Sequence, residues 1–167
     1  MKLESLQDLY LLELKDLYSA ENQLIKALPK LAEAASSPQL RATFEEHLEE
    51  TRGQVDRLER IFGMLNESPK GQKCKGMEGL LDEGDDMRDE AEDAPPAVAD
   101  AGLISSAQRV EHYEIAGYGT CRTYARRLGL EDQALLLEQT LGEEVAADRK
   151  LTDIAESYIN EDANAAS

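Results

Sequence analysis

Apolar residues recur every three or four positions along most of the chain, the spacing that places side chains on one face of an α-helix. Near the N-terminus this stripe consists of Leu3, Leu6, Tyr10, Leu14, Leu17, Leu24, Leu28 and Leu31. It predicts a first helix over residues 3–34, in which Pro29 introduces a kink or a restart. Ser37 and Pro38 fit the N-cap and first position of a second helix, which extends to Leu65.

The second half of the chain repeats this pattern of helix, short break and helix. The stripe predicts a third helix over residues 97–127, a tight break at Gly129 and a fourth helix over residues 131–160. Between the halves, residues 66–96 form a long crossover with a short, very acidic helix or two. Short breaks make the helices of each half antiparallel neighbours. Residues 1–167 are therefore predicted to form a single all-α domain, a ferritin-like four-helix bundle with one long crossover.

The composition agrees with a helical, globular chain and restricts the classes of molecule that the chain can bind. Hydrophobic residues make up 41% and charged residues 32% of the 167 residues, and the common residue types favour helices over strands. A formal net charge of -17 argues against binding to nucleic acid or anionic membranes, which need basic surfaces. The acidic N-terminus is unlike a signal peptide, and no stretch is apolar enough to span a membrane. We therefore expect a cytoplasmic protein in which Cys74 and Cys121 are reduced.

Polar residues interrupt the apolar stripe on all four helices. Projected at about 100° per residue, the stripe contains or borders Glu21, Glu50, Gln54, Glu114, Glu144 and Asp148. Each half of the chain therefore carries one inward glutamate on each helix. The spacing of the two is nearly the same in both halves, because Glu50 follows Glu21 by 29 positions and Glu144 follows Glu114 by 30. All four glutamates lie near the middle of a helix. In an antiparallel bundle they are expected to meet at one level.

Four buried carboxylates require positive charge nearby, because removing each ion from water is costly and the ions repel one another. Arginine or lysine could supply that charge, but the stripe contains neither. Metal ions could supply it instead, and hard oxygen ligands suit iron or manganese. The Glu-x-x-His motif of di-iron bundles is absent, since His47 precedes Glu50 and the fourth position after a glutamate holds Gln54 or Asp148. A bundle without a site is the alternative.

The remaining polar residues near the stripe receive supporting roles. Gln54 is either a ligand or a hydrogen-bonding neighbour of one. His47 is assigned as a core histidine bonded to a carboxylate, or as a residue that hydrogen-bonds to a ligand without binding the metal itself. Glu49 and Glu143 point away from the stripe, and Glu111 at most borders the core.

Several stretches of the chain resemble a known family. YSAENQLIKALPKLAEAA, HLEETRGQVDRLE, CKGMEGLLDEG, SAQRVEHYEIAGYGT and LGEEVAADRKLTDIA are similar to segments of the ferritin-like YciE/YciF family of bacterial stress proteins. The resemblance covers nearly the whole chain and implies a homodimer with a dinuclear metal centre between the helices. It also implies that the four inward glutamates are metal ligands, and that Gln54 and Asp148 stand where other ferritin-like proteins have histidines.

Two classes of function stay open. In the first, two ferrous ions held by the glutamates react with oxygen or peroxide, giving ferroxidase- or peroxidase-type activity in a stress response. Iron is the expected metal, with manganese or another divalent ion as the alternative. In the second, a non-catalytic stress or interaction protein uses the acidic segment 82–93 as a contact surface, with structural metal or none. A hollow iron-storage cage is a weaker option because the resemblance points to a dimer. No catalytic residue is assigned.

Overall fold

The fold is a bundle of four long helices with a shorter helix in the crossover. The computed structural model describes residues 3–166, and none of the helices in that range is long and apolar enough to cross a membrane. In chain order they are α1 (Leu6–Ala34), α2 (Pro38–Leu65), α3 (Lys75–Glu90), α4 (Pro96–Arg127), α5 (Glu131–Ile154), a π-helical turn (Ala155–Ile159) and α6 (Asn160–Ala165). The predicted all-α, ferritin-like bundle is confirmed. That the whole chain forms a single domain stays a prediction.

The N-terminal end of α1 is determined by a capping residue rather than by the apolar stripe. Ser5 accepts a hydrogen bond at its Oγ from the backbone N–H of Asp8, over 3.1 Å. The helix therefore begins at Leu6 and not at Leu3, where the periodicity placed its start. Pro29 lies inside α1 without ending it.

A buried carboxylate from α4 holds the break between α1 and α2. Asp100, only 2% exposed, accepts hydrogen bonds from the backbone N–H groups of Ser36 and Ser37, each over 2.8 Å. Ser37 also caps α2 as predicted, since its Oγ accepts from the N–H of Leu40 over 3.2 Å. A carboxylate suits this position because the N-terminal end of a helix carries partial positive charge. The pattern of the sequence did not indicate this role for Asp100.

The crossover contains one helix, α3, where the sequence allowed one or two. Asn66 ends α2 in the left-handed conformation, with φ of 54°. The helix α3 then packs on α4 through its buried residues Met77 and Gly84. The acidic side chains of segment 82–93 are exposed to solvent, so this run of charge forms an outer surface of the bundle.

The second hairpin has the predicted tight break. Gly129 joins α4 to α5 with φ of 75°, which a residue with a side chain rarely adopts. The last helical segment extends further than predicted. A π-helical turn leads from α5 into α6, and α6 ends at Ala165. Tyr158 in that turn places its hydroxyl 2.5 Å from the Ser37 hydroxyl and so joins the C-terminal segment to the start of α2.

Two apolar clusters fill the bundle, and a polar layer lies between them. One cluster includes Leu24, Phe44, Val110 and Leu151, and the other includes Leu17, Leu58, Tyr118 and Leu137. On each of the four long helices, the residues between these two sets include fully buried polar side chains. Burying polar groups is unfavourable unless they find partners, so the layer needs an explanation beyond packing.

Candidate metal centre

Four buried side chains from three helices converge in the polar layer. They are His47 on α2, Glu111 and Glu114 on α4, and Glu144 on α5, and one potential ligand atom of each lies within 4.8 Å of the others. All four are buried, and Glu114 and Glu144 are 0% exposed. Carboxylate oxygens with one imidazole nitrogen are a donor set that suits iron, manganese or zinc. We call these four residues the carboxylate–histidine cluster.

His47 joins the cluster through one ring nitrogen and is held by the other. Its Nε2 lies 3.3 Å from Glu111 Oε1 and 3.7 Å from Glu144 Oε2, without the geometry of a hydrogen bond to either. Its Nδ1 lies 3.2 Å from Glu50 Oε2, which is within hydrogen-bond distance. Metal-binding histidines usually have this arrangement, with a carboxylate fixing the ring nitrogen that does not face the metal.

Glu21 on α1 adds a fifth buried acid beside the cluster. Its Oε1 accepts a hydrogen bond from the Tyr118 hydroxyl, and its carboxyl group interacts with that of Glu114. Both Glu21 and Tyr118 are almost completely shielded from solvent. The polar layer therefore receives an acidic side chain from α1, α4 and α5, as the sequence predicted, and a histidine from α2.

Many polar atoms of this layer have no hydrogen-bond partner among residues 3–166, which is the strongest sign that the layer holds an ion. The unpartnered atoms are Glu21 Oε2, His47 Nε2, Gln54 Oε1, Glu111 Oε2, Glu114 Oε1, Glu114 Oε2 and Glu144 Oε2. A buried polar atom without a partner costs about 1–3 kcal/mol, and more if charged. Metal ions would coordinate these oxygen and nitrogen atoms and neutralise the acids, so the residues fit a metal.

The electrostatics of the layer favour bound protons. Burial raises the pKa of Glu21, Glu111 and Glu114 well above the ordinary value of 4.5, and neighbouring carboxylates raise it further. Burial alone lowers the pKa of His47, but the hydrogen bond to Glu50 and the charge of Glu144 outweigh that effect, so its pKa is raised. Metal binding would replace protons at these groups.

One guanidinium group approaches the layer from α2. Arg57 donates to both carboxylate oxygens of Glu143, over 2.7 and 2.5 Å, and to Thr140 Oγ1 over 2.8 Å. Gln54 donates to Glu144, and also to Glu143 over 3.2 Å. Glu143 thus faces the layer, and the expectation that it points away was wrong. Arg57 forms its ion pair with Glu143, and its charge also lowers the pKa of Glu21, but burial and the charge of Glu144 outweigh that effect.

The six predicted site residues do not all meet. Glu114 and Glu144 belong to the cluster, and Glu21 and Gln54 contact it. Glu50 lies outside, with 38% of its side chain exposed, and reaches the cluster only through His47 among the described residues. Its role as a direct ligand stays a prediction.

Asp148 also lies outside the cluster. Its Oδ1 is 3.4 Å from His112 Nε2 and 3.1 Å from Gln108 Nε2, and 22% of its side chain is exposed. Four residues beyond Glu144, it is rotated by about 40° around the helix, which places it at the outer edge of the contact between α4 and α5. Polar partners on α4 bind it there.

Two residues of the cluster received lesser roles in the sequence analysis. Glu111 precedes Glu114 by one helical turn and so points to the same side of α4. His47 shares a row of sevens with Leu40, Gln54 and Ile61, all of which are buried. Both signals were present in the sequence. The phase of one helix, however, does not show whether a residue at the border of a stripe turns inward.

A cleft between α2 and α5 reaches His47 of the cluster from the protein surface. It has a volume of about 130 Å³ and is lined by Thr43, Glu46, His47, Glu50, Ala146, Ala147 and Lys150. Lys150 and Glu46 form an ion pair among these lining residues. Solvent therefore comes close to His47 and Glu50 at this side of the bundle.

Comparison with known proteins gives the family. The sequence pattern of the family described as "Domain of unknown function (DUF892)" matches residues 5–164. Protein YciF of Escherichia coli (strain K12) is 45% identical over 164 residues, which are 98% of this chain and 98% of that protein. The chain belongs to the YciF family. The resemblance found in the sequence is therefore confirmed.

Three solved structures share the fold. The crystal structure of the E. coli stress protein YciF matches with a TM-score of 0.90, covering 95% of this chain and 99% of that one. YcfI from Rhodopseudomonas palustris is 42% identical and matches with a TM-score of 0.86 over 90% of this chain and 95% of its own. A Xanthomonas campestris protein at 24% identity and a TM-score of 0.73, covering 93% and 94%, supports the fold alone.

Proposed function

We propose that this YciF-family chain is a di-metal carboxylate protein that binds two iron ions in its polar layer and oxidises ferrous iron with oxygen or peroxide. The observation that carries the proposal is the set of buried carboxylate and imidazole atoms that find no hydrogen-bond partner among the described residues. The carboxylate–histidine cluster would hold one ion, and Glu21 beside Glu114 would supply a further carboxylate for the second. Bound iron would supply one electron per ion.

The surrounding residues prepare these ligands. Glu50 holds His47 by Nδ1 and leaves Nε2 directed at the acids. Gln54 orients the carboxylate of Glu144, and Tyr118 orients that of Glu21. The two apolar clusters exclude water above and below, and this strengthens every interaction between the acids and a cation. The cleft between α2 and α5 would admit the ion and a small oxidant.

The reaction balances with hydrogen peroxide as the oxidant. Two ferrous ions each lose one electron, and one peroxide takes up both electrons and two protons to form two water molecules. The raised pKa values of Glu21, Glu111 and Glu114 keep protons at the site until metal arrives. An oxidant small enough for the cleft is required, because the cluster itself is buried.

Anaerobic loading with ferrous iron tests the proposal. We expect the metal-free protein to bind two iron ions, to gain thermal stability, and to oxidise that iron on addition of peroxide faster than free ferrous iron is oxidised in the same buffer. The variant Glu49→Gln should bind and oxidise iron as the parent protein does, because Glu49 is exposed on α2 and pairs with Arg52. Absence of any binding of iron, manganese, cobalt or zinc would contradict the proposal.

A second function deserves a test because one imidazole and several acids also form a stable structural site. In this version the metal, if bound, stabilises the bundle, and the protein acts through its surface. The relative from Rhodopseudomonas palustris has a description that suggests a structural role. Metal binding that raises the melting temperature, with iron oxidation no faster than in buffer, would favour this second function.

We further propose a cytoplasmic homodimer with a role in stress, supported by the family relation to the E. coli stress protein YciF. The net charge of -17 supports the absence of nucleic-acid binding. Light scattering of the purified chain should give twice the mass of 18.5 kDa. A monomer at micromolar concentration would contradict the dimer.

A further inference from the structure

A second cleft lies between α1, α3 and α4, and its lining shares no residue with the carboxylate–histidine cluster. It has a volume of about 200 Å³. Most of its wall is apolar and comes from Ala27, Leu31, Leu80, Leu81, Ala107 and Val110. A space of this size suits a ligand smaller than a typical drug molecule.

Gly84 lines this cleft, although neither backbone nor packing requires a glycine there. It lies in the interior of α3 with ordinary helical geometry. A Cβ atom built at this position would meet the Cβ of Ser106 at 3.8 Å, an ordinary contact. Alanine would fit and would favour the helix more than glycine does. A side chain longer than alanine at this position would enter the cleft, because Gly84 is part of its lining.

Gln23 in the lining already donates to the Cys74 carbonyl oxygen over 3.0 Å, whereas one hydroxyl and two ammonium groups of the cleft remain available to a ligand. Ser106 is 6% exposed, and its hydroxyl oxygen has no hydrogen-bond partner in the described part of the chain. Lys26 and Lys30 are exposed and form no ion pair with any described residue. The acid of the lining, Asp85, is paired with Arg88 over 2.8 Å. Free ammonium groups beside an apolar wall are complementary to an anion with an aliphatic tail.

We propose that this cleft binds a medium-chain aliphatic carboxylate. The tail lies against the leucines of α1 and α3, the carboxylate accepts hydrogen bonds from Lys26 and Lys30, and the Ser106 hydroxyl finds a partner in the bound molecule. The site is independent of the proposed metal chemistry, because none of the residues that line the cleft is a proposed metal ligand. Each proposal can fail without affecting the other.

Titration of the full-length protein with octanoate, followed by calorimetry and by amide NMR spectra, tests this assignment. We expect one saturable site, with shifts centred on α3 and on Ser106. Octanol should bind at least tenfold more weakly and octyltrimethylammonium should not bind, because the lysines repel it. Octanol binding as tightly as octanoate would overturn the assignment, as would the absence of saturable octanoate binding.

Variants locate the site. Gly84→Leu fills the cleft and should abolish octanoate binding, whereas Gly79→Leu, on an open face of the same helix, should leave it unchanged. Lys26→Gln with Lys30→Gln should weaken octanoate binding at least tenfold and leave octanol binding as it was. If Gly84→Leu does not fold, two other variants still test the site. These are Ser106→Ala, which removes the hydroxyl that contacts the ligand and should weaken octanoate binding, and the lysine variant. Unchanged affinity in the lysine variant would overturn the proposal.

Discussion

At the scale of single residues, Glu114 carries most of the metal proposal. Both of its carboxylate oxygens are buried, and neither has a hydrogen-bond partner in the described part of the chain. Burial and then the charge of Glu21 raise its pKa. A side chain placed this unfavourably in the metal-free protein is one that selection for stability alone would replace, so its presence indicates a role.

Replacing Glu114 by glutamine should stabilise the metal-free protein and remove its response to metal. We expect the free energy of unfolding at pH 8 to rise by about 1–3 kcal/mol, because a buried acid is exchanged for a neutral group of the same shape. Urea unfolding with and without ferrous iron measures both effects. A variant that is no more stable than the parent and still gains full stability from iron would contradict this expectation.

Variants of Glu111 and Asp148 distinguish the ligand set of the carboxylate–histidine cluster from the ligand set predicted from the sequence. Glu111→Gln should weaken metal binding at least tenfold, since it removes an anionic donor from the cluster. Asp148→Asn should leave affinity within about twofold of the parent, because Asp148 faces His112 and Gln108. Calorimetric titration with manganese gives both numbers. Equal losses in the two variants would favour the ligand set predicted from the sequence.

At the scale of elements, α3 is positioned by a close contact with α4. A Cβ atom at Gly76 would lie 2.6 Å from the ring of Tyr113. The Tyr113 hydroxyl in turn donates to Asp16 over 2.6 Å and lies 3.0 Å from the sulfur of Cys74, the N-cap of α3. The ring cannot move away without disturbing these bonds, so the absence of a side chain at Gly76 lets the crossover helix approach the bundle.

Two glycine substitutions in α3 should therefore have opposite effects. Gly76→Ala should destabilise the protein by about 1–3 kcal/mol, the usual cost of overpacking. Gly79→Ala should stabilise it by about 0.5–1 kcal/mol, because nothing lies within 4 Å of the added atom and alanine favours the helix. Thermal and urea unfolding of both variants provide the comparison. Equal effects of the two changes would show that the Tyr113 contact is unimportant.

At the scale of the whole molecule, the polar layer divides one core into two. The apolar clusters on either side stabilise the bundle, and the layer between them lowers that stability unless protons or metal ions occupy it. Binding of metal and stability of the fold are therefore coupled.

This coupling predicts the pH dependence of stability. Glu21, Glu111 and Glu114 have a higher pKa in the folded protein than the ordinary 4.5 expected in the unfolded chain. Their contribution to stability is therefore fully present below about pH 4.5 and is lost as pH rises towards the folded values. The raised pKa of His47 acts in the same direction.

We accordingly expect the metal-free protein to lose stability as pH rises above about 4.5, and metal affinity to increase over the same range as protons are released. Urea unfolding at a series of pH values measures the first effect and calorimetry in two buffers the second. A variant with Glu111→Gln and Glu114→Gln should show a flatter profile. A parent profile as flat as that of this variant would contradict the coupling.

Helical phase is a local property, and for that reason much of this protein could be predicted from its sequence. The spacing of apolar residues, Ser37 and Gly129 established the helices and their pairing. Glu21, Glu114 and Glu144 lie in the middle of an apolar stripe, so they had to point inward whatever the details of packing. The bundle, the buried acids and the need for positive charge therefore follow from the sequence.

Tertiary structure decided which residues at the borders of the stripes turn inward. Glu111 and His47 join the cluster, whereas Asp148 turns to partners outside it and Glu50 contacts it only from behind His47 among the described residues. A residue about 60° from the centre of a stripe can face the core or the solvent. The rotation of each helix against its neighbours, and the nearest charged or polar partner, determine which of the two occurs. These distances exist only once the helices have packed.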